Sequence, residues 1–144
     1  MLERLLVAAL VLLGPASAQA APKSSLRVSV TGFQSLDGHV VCALFRSKSG
    51  FPDGRHALRS TRARVGKAGA TCRFGEVPRG TYAVALFHDA DDDGELDTFL
   101  GIPQEGFGFS RDARPSLFGP PSFERAAFRV VRGPYALSVR LQHL

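Results

Sequence analysis

Apolar and polar residues alternate along much of the chain from residue 26 onward. In residues 26–31, Leu-Arg-Val-Ser-Val-Thr, every second side chain is apolar, which is typical of a β-strand with one buried face. The same alternation, or a short continuous apolar run, recurs at short intervals and predicts about seven strands. These strands cover residues 26–31, 39–45, 61–65, 71–77, 81–88, 125–131 and 135–141.

Turn sequences separate the predicted strands. Asp37-Gly38 precedes strand 39–45, and Asp-Gly between apolar runs favours a β-hairpin. We therefore expect strand 39–45 to pair with strand 26–31 and to lie at the centre of a sheet.

One long segment breaks the alternation. Residues 98–122 are rich in Gly, Pro and Phe and are predicted to form a long ordered loop between strands. Because the rest of the chain has short strands and turns, with no long helical period, the pattern predicts an all-β fold, a single antiparallel β-sandwich.

The first residues have the layout of a secretory signal peptide. An apolar stretch from Leu5 to Leu13 leads into small residues with overlapping Ala-x-Ala cleavage patterns. We expect residues 1–20 to be removed and residues 21–144 to form one domain, periplasmic or secreted. The alternative is an uncleaved anchor, but a span needs about 20 apolar residues, so no transmembrane span is expected after signal removal.

The chain is basic, with a formal net charge of +5. Its densest basic cluster comprises Arg55, Arg59, Arg62, Arg64 and Lys67. Such a cluster is typical either of a solvated face or of a surface that binds anionic envelope polymers. No aromatic residues are interleaved for base stacking, so no nucleic-acid partner is expected.

Two cysteines, Cys42 and Cys72, remain after signal removal. An oxidising exported compartment favours a disulfide between them. The alternative is that each is a small buried apolar residue in its own strand.

An acidic loop follows predicted strand 81–88 directly. It carries six of the chain's acidic residues within nine positions: Asp89, Asp91, Asp92, Asp93, Glu95 and Asp97. With Asp89 at position 1, the pattern D-x-D-x-D-G matches the start of an EF-hand calcium loop, in which alternate carboxylates converge on one cation. The ligands predicted from this loop are Asp89, Asp91, Asp93, the carbonyl of Glu95, and Asp97.

The match to an EF-hand is incomplete. Position 12 is Leu100, where an EF-hand has a bidentate Glu, and a strand precedes the loop in place of a helix. We expect Glu105 to complete a calcium site of modest affinity, while His88 orients Asp89 or ends the strand. The alternative is that the Asp residues form Asx turns at a solvated tip without a metal.

The residues around this loop resemble a bacterial exported family, family 2141 of domains of unknown function. The resemblance lies in residues 80–89, in Asp93-Gly94-Glu95-Leu96-Asp97, and in residues 101–110, GIPQEGFGFS. It extends over essentially the whole mature chain and implies no established activity. More distantly, residues 74–84 resemble transthyretin-like and carboxypeptidase-regulatory-like sandwiches, which implies a transthyretin-like or immunoglobulin-like Greek key fold.

No catalytic motif is apparent in the sequence. The sequence has no G-x-S-x-G nucleophile elbow, no H-E-x-x-H metalloprotease motif and no phosphate-binding P-loop. The four histidines are not spaced like metal ligands. We therefore expect a calcium-stabilised binding or structural module, not an enzyme, with an unknown protein or an envelope polysaccharide as partner. Phe107 and Phe109 either contribute to its contact surface or pack beneath the loop. The alternative functions are metal-assisted hydrolysis at the acidic loop and binding of anionic envelope polymers.

Overall fold

The structure is a computed structural model that describes residues 14–18, 23–99 and 101–144. Its strands are β1 (Lys23–Thr31), β2 (His39–Phe45), β3 (Arg59–Arg64), β4 (Ala70–Pro78), β5 (Gly80–Asp89), β6 (Thr98–Phe99), β7 (Ile102–Pro103), β8 (Phe107–Phe109), β9 (Phe128–Val130) and β10 (Tyr135–Arg140). Two 3-10 turns, Gly54–His56 and Ser110–Asp112, and one short helix, α1 (Phe123–Ala126), complete the elements. In these ranges no helix is long and apolar enough to cross a bilayer.

The predicted signal peptide, residues 1–20, lies outside the described residues except for residues 14–18. The same holds for Leu100, the residue at position 12 of the acidic loop. The predictions made for those positions therefore stay predictions.

The strands form two main sheets that pack against each other. One sheet has the order β10-β1-β4, and the other has the order β3-β2-β5-β8, with β9 paired to the start of β5. The strand pairs within these sheets are antiparallel except for β1 and β10, which run parallel. The predicted all-β class is confirmed, but the pairing is not wholly antiparallel as expected.

The inner faces of the two sheets form the main hydrophobic core. Alternate residues of β1 point into it, with Leu26, Val28 and Val30 each at most 2% exposed. From β2, Val40 and Leu44 meet them and are fully buried. Each such side chain contributes about 1.5–3 kcal/mol when it leaves water, so the alternation seen in the sequence provides the main stabilisation of the fold.

The predicted hairpin between β1 and β2 is wrong. The structure pairs β1 with β4 and β10, whereas β2 pairs with β3 and β5. Both β1 and β2 have an apolar face, and these two faces meet across the core instead of lying side by side. The turn residues Asp37-Gly38 therefore belong to a connection that crosses from one sheet to the other.

The predicted strand 125–131 begins too early. Residues 123–126 form α1, and only Phe128–Val130 is a strand. The Oγ of Ser122 accepts a hydrogen bond of 3.3 Å from the amide of Arg125, as in an N-cap. This cap favours a helical turn, which places Ala126 in a fully buried position.

A second, smaller apolar cluster lies on the outer face of the β3-β2-β5-β8 sheet. Its buried members are Ala83, Phe107, Phe109, Ala113 and Ala126. Phe51 and Phe123 pack edge to face against each other beside it, with ring centroids 5.9 Å apart. The prediction of one long loop over residues 98–122 is therefore only partly right, because this segment contains β6, β7 and β8, and β8 pairs with β5 within the sheet. The residues that follow β8 fold back over the outer face as an ordered cover.

Cys42 and Cys72 lie at disulfide distance and are completely buried. Their Cα atoms are 6.4 Å apart, and 30 residues separate them in sequence. Because Cys42 is in β2 and Cys72 is in β4, the bond joins the two sheets through the core.

Candidate functional site

The acidic loop begins at the last residue of β5. Asp89 is fully buried, and its two carboxylate oxygens accept hydrogen bonds from the amides of Asp93 (3.1 Å) and Gly94 (2.9 Å). Gly94 has φ +80°, a left-handed conformation that favours glycine. The loop backbone is thus wound around the Asp89 carboxylate.

The exposed aspartates that follow bind the backbone locally. Asp91 Oδ1 accepts from the amide of Asp93 at 3.3 Å, and Asp93 Oδ1 accepts from the amide of Glu95 at 2.8 Å. These are Asx turns. They fix the direction of the carboxylates and leave further lone pairs on each oxygen, since a carboxylate has about four acceptor positions.

Glu105 closes the loop from the segment between β7 and β8. Its Oε1 accepts from the amide of Ala90 at 3.3 Å, and its Oε2 accepts from the amide of Asp97 at 3.2 Å. The sequence offers Glu105 as a candidate to complete the ligand set, without fixing its position, and the structure brings its carboxylate to this loop.

The carboxylates form two overlapping groups in which one oxygen from each member lies within 4.8 Å of the others. One group is Asp89, Asp91 and Asp93, and the other is Asp91, Asp97 and Glu105. Asp91 belongs to both groups. In proteins Ca²⁺ lies 2.3–2.6 Å from each ligand oxygen, and two oxygens bound to the same ion can be up to twice that distance apart. Oxygens within 4.8 Å of one another are therefore close enough to bind one hard cation. The Glu95 carboxylate is in neither group, and the sequence assigned its carbonyl, not its side chain, to the ion.

Three carboxyls of the site have raised pKa values. Burial is the main cause for Asp89 and for Glu105. Burial also raises the pKa of Asp97, and repulsion from the charges of Asp91 and Asp93 raises it further. A cation placed among these groups would offset both effects, because it favours the charged form.

Asp92 faces away from this cluster, an arrangement that sequence spacing did not reveal. Its Oδ1 lies 2.6 Å from Nδ1 of His39 and 3.1 Å from a guanidinium nitrogen of Arg62. The hydrogen bond from His39, together with nearby arginines, lowers the pKa of Asp92. This contact ties the loop to the β2-β3 edge and takes one negative charge away from the candidate metal centre.

The base of the loop contacts the connection that crosses between the sheets. His88 is buried, its Nε2 donates to the carbonyl of Asp37 at 2.7 Å, and its ring packs edge to face against Phe33. At Gly38, a Cβ would overlap the carbonyl oxygen of Asp89. Both observations indicate that the crossing connection supports the start of the acidic loop.

Two other predicted surfaces are also located. Phe107 and Phe109 are 5% and 7% exposed and belong to the second apolar cluster. In the basic cluster, Arg55 pairs with Asp53 at 2.6 Å and lowers the pKa of that carboxyl to about 2. Arg59 donates to the carbonyls of β4, so part of the cluster is engaged within the protein.

These features define a mostly β protein of two packed sheets with a clustered acidic loop at the end of its longest strand. The chain belongs to family 2141 of domains of unknown function, described as an uncharacterized protein conserved in bacteria, whose profile matches residues 28–137. This confirms the resemblance noted in the sequence. No curated protein and no solved structure matches the chain.

Proposed function

We propose that this protein is an exported, calcium-stabilised binding module of the bacterial cell envelope. The observation that carries the proposal is the convergence of five carboxylates in two groups that share Asp91. Such a density of negative charge is unfavourable because neighbouring carboxylates repel one another, and a divalent cation would compensate it. In this proposal the ion fixes the acidic loop and thereby the segment that covers the outer face of the sheet.

Several contacts support a stabilising role for the ion over a catalytic one. His88, the only histidine adjacent to the loop in sequence, is buried and already donates to the carbonyl of Asp37. Glu105 accepts two backbone amides, which suits a positioned ligand better than a general base. We therefore propose that the module is not an enzyme.

For the sandwich type, we propose a transthyretin-like or immunoglobulin-like Greek key. The hydroxyl of Tyr82, near the start of β5, donates to the carbonyl of Pro78 at 2.6 Å. This contact is similar to the tyrosine corner of immunoglobulin-like sandwiches. The buried cysteine pair also joins the two sheets, as the disulfide of antibody domains does, but Cys72 lies in β4 and not in the strand that carries Tyr82.

Calorimetric titration of the metal-stripped protein with calcium and with magnesium tests the proposed function. We expect saturable calcium binding with a dissociation constant of about 10⁻⁴ to 10⁻³ M, weaker magnesium binding, and a rise in melting temperature with calcium. Asp91→Asn should weaken calcium binding by at least about tenfold, since Asp91 belongs to both carboxylate groups.

Glu124→Gln is the matched control, because Glu124 is exposed in α1 and lies outside the loop. It should bind calcium like the parent protein. No heat and no change in melting temperature up to about 10 mM calcium, well above that affinity range, would reject the calcium site and leave the Asx turns as the full account of the loop.

A further inference from the structure

The outer face of the five-strand sheet is apolar, although a sheet face toward water is usually polar. Residues that lie directly opposite each other on neighbouring strands form two rows across this face. From β3 to β8, the first row is Arg62, Val41, Phe87 and Phe107. The second row is Ser60, Ala43, Ala85 and Phe109. Away from the β3 edge, both rows contain only apolar side chains. This face is therefore suited to an apolar cover and not to solvent.

The loops above this face cover it only in part and leave a cleft. The cleft has a volume of about 970 Å³ and is bordered by the turn at residues 52–55 and by parts of segments 94–98, 101–103 and 115–120. Its floor is formed by side chains of both rows, with Val41 and Ala85 near the middle of the sheet. The volume lies at the upper end of the range for small-molecule sites, about 300–1,000 Å³.

We propose that this cleft binds a single alkyl chain, as carried by a fatty acid or by an acyl lipid of the envelope. The proposal names the ligand class of the proposed binding module and rests on the binding role assigned there. It does not require the calcium ion, although Gly94 and Glu95 of the acidic loop border the cleft.

The backbone geometry favours a hydrocarbon over a peptide or a sugar. The floor is a sheet face, where the amides and carbonyls of β2 and β5 are paired within the ladder. A peptide backbone needs hydrogen-bond partners such as those at a sheet edge, and a sugar needs many polar partners. An alkyl chain needs none, and each methylene that leaves water contributes to binding.

The charged side chains of the cleft do not select for one sign of charge. They are Asp53, Arg55 and Glu95, and Arg55 and Asp53 already pair with each other. The Arg55 side chain is 87% exposed and Glu95 is exposed, so these groups lie at the rim. Affinity should therefore come from the chain, and the head group should remain at the surface.

An apolar tip beside the cleft supports a ligand taken from a lipid phase. Leu117 and Phe118 are each 97% exposed, at the end of a turn closed by a 2.8 Å hydrogen bond from Ser116 to Gly119. Leu117 also borders the cleft. Two adjacent, fully exposed large apolar residues are typical of a contact site. Here the two side chains extend the apolar lining of the cleft outward.

Calorimetric titration with fatty acids of about 8 to about 14 carbons tests the proposal. The protein is produced from the full chain, and each fatty acid is kept below its micellar concentration. Each added methylene should tighten binding up to about fourfold until the cleft is filled. Lysophospholipids with the same chains distinguish the source of the ligand. Equal chain-length dependence in both series indicates recognition of the chain alone, and dependence only in the lysophospholipid series indicates an envelope lipid.

Two cleft variants and one matched control locate the binding. Ser60→Trp and Val41→Trp place an indole in the cleft and should each weaken dodecanoate binding at least about tenfold. Ser138→Trp makes the same change as Ser60→Trp at an exposed strand position of the other sheet and should leave binding unchanged. A far-ultraviolet circular dichroism melt of each variant identifies any that fails to fold.

The proposal is overturned if no alkyl chain binds saturably, if affinity does not depend on chain length, or if Ser138→Trp weakens binding as much as the cleft variants do. Binding of a delipidated envelope polysaccharide that Ser60→Trp abolishes would assign the cleft to a sugar instead. Titrations in calcium and in chelator separate the two proposals. Calcium binding without alkyl binding rejects only this one, and alkyl binding without calcium binding rejects only the calcium site.

Discussion

At the scale of single residues, backbone conformation at Gly38 connects the sheet crossing to the acidic loop. Gly38 has φ +66°, a conformation that costs any other residue energy, and its Cα faces the carbonyl oxygen of Asp89 without room for a Cβ. The Asp-Gly sequence at this position predicts a hairpin turn, which the structure does not have. The glycine is required for a different reason, the close approach of two backbones.

Gly38→Ala should therefore lower the free energy of unfolding by about 2–4 kcal/mol, since strain and a backbone overlap act together. Urea unfolding followed by circular dichroism measures this change. Gly54→Ala is the matched control, because Gly54 has no positive φ and nothing within 4 Å of the added Cβ. A Gly38→Ala protein as stable as the Gly54→Ala protein would show that the crossing connection moves freely.

At the scale of secondary-structure elements, the alternating pattern predicts strands well and their partners poorly. Residues 39–45 and 81–88 were predicted almost as the structure has them, because period-two alternation or a continuous apolar run reports burial. The pattern does not report which sheet a strand joins, because strands of both sheets bury one apolar face in the same core and show the same alternation. That is why β1 and β2 were expected to pair and instead face each other.

The acidic loop shows a similar division between local and distant information. The convergence of Asp89, Asp91 and Asp93 follows from local spacing, and Glu105 was recognised as a candidate from the next segment. The pairing of Asp92 with His39 was missed. It depends on the register between β2 and β5, which places His39 opposite Asp89. No pattern within the loop carries that information.

The electrostatics of the loop predict that Asp97→Asn changes stability at neutral pH in opposite directions with and without calcium. The pKa of Asp97 is raised above its ordinary 3.8, so the folded state binds the proton more tightly than the unfolded state. The favourable contribution of protonated Asp97 to the free energy of unfolding is therefore fully present below pH 3.8 and is lost as pH rises through the raised pKa. Without metal, Asp97→Asn should be more stable than the parent at about pH 7 and equal to it at about pH 3.

Saturating calcium should reverse the order at neutral pH, because the parent then gains more from ion binding than the variant does. Thermal melts at several pH values, in calcium and in chelator, measure both effects. Glu124→Gln, outside the loop, should follow the parent under all conditions. A variant less stable than the parent in chelator at neutral pH would mean that the Asp97 charge is favourable without any ion.

At the scale of the whole molecule, two links hold the sheets and their cover in one arrangement. The cysteine pair joins β2 to β4 through the core, and the acidic loop, through Glu105, fixes the segment that covers the outer face. The first link acts between the sheets, and the second acts between one sheet and its cover. Loss of the link between the sheets should therefore leave the cleft in place, whereas the link through Glu105 directly supports the cover that borders the cleft.

Breaking the cysteine pair should lower the free energy of unfolding by about 3–4 kcal/mol, the loop-closure value for a separation of 30 residues. Complete reduction of the parent protein removes the bond without removing atoms, so denaturant unfolding of oxidised and reduced protein measures the link alone. The Cys42→Ala and Cys72→Ala double variant should be at least as destabilised as the reduced parent and insensitive to reductant, because it also leaves a small cavity.

Calcium and alkyl-chain binding should survive in the reduced protein wherever it remains folded. Both candidate sites lie on the β3-β2-β5-β8 sheet and its cover, and the bond connects that sheet to the other one. If reduction left stability unchanged, the two cysteines would act only as packed core residues. If reduction abolished ligand binding in protein that was still folded, the cleft would depend on the spacing between the sheets, and the division into two independent links would be wrong.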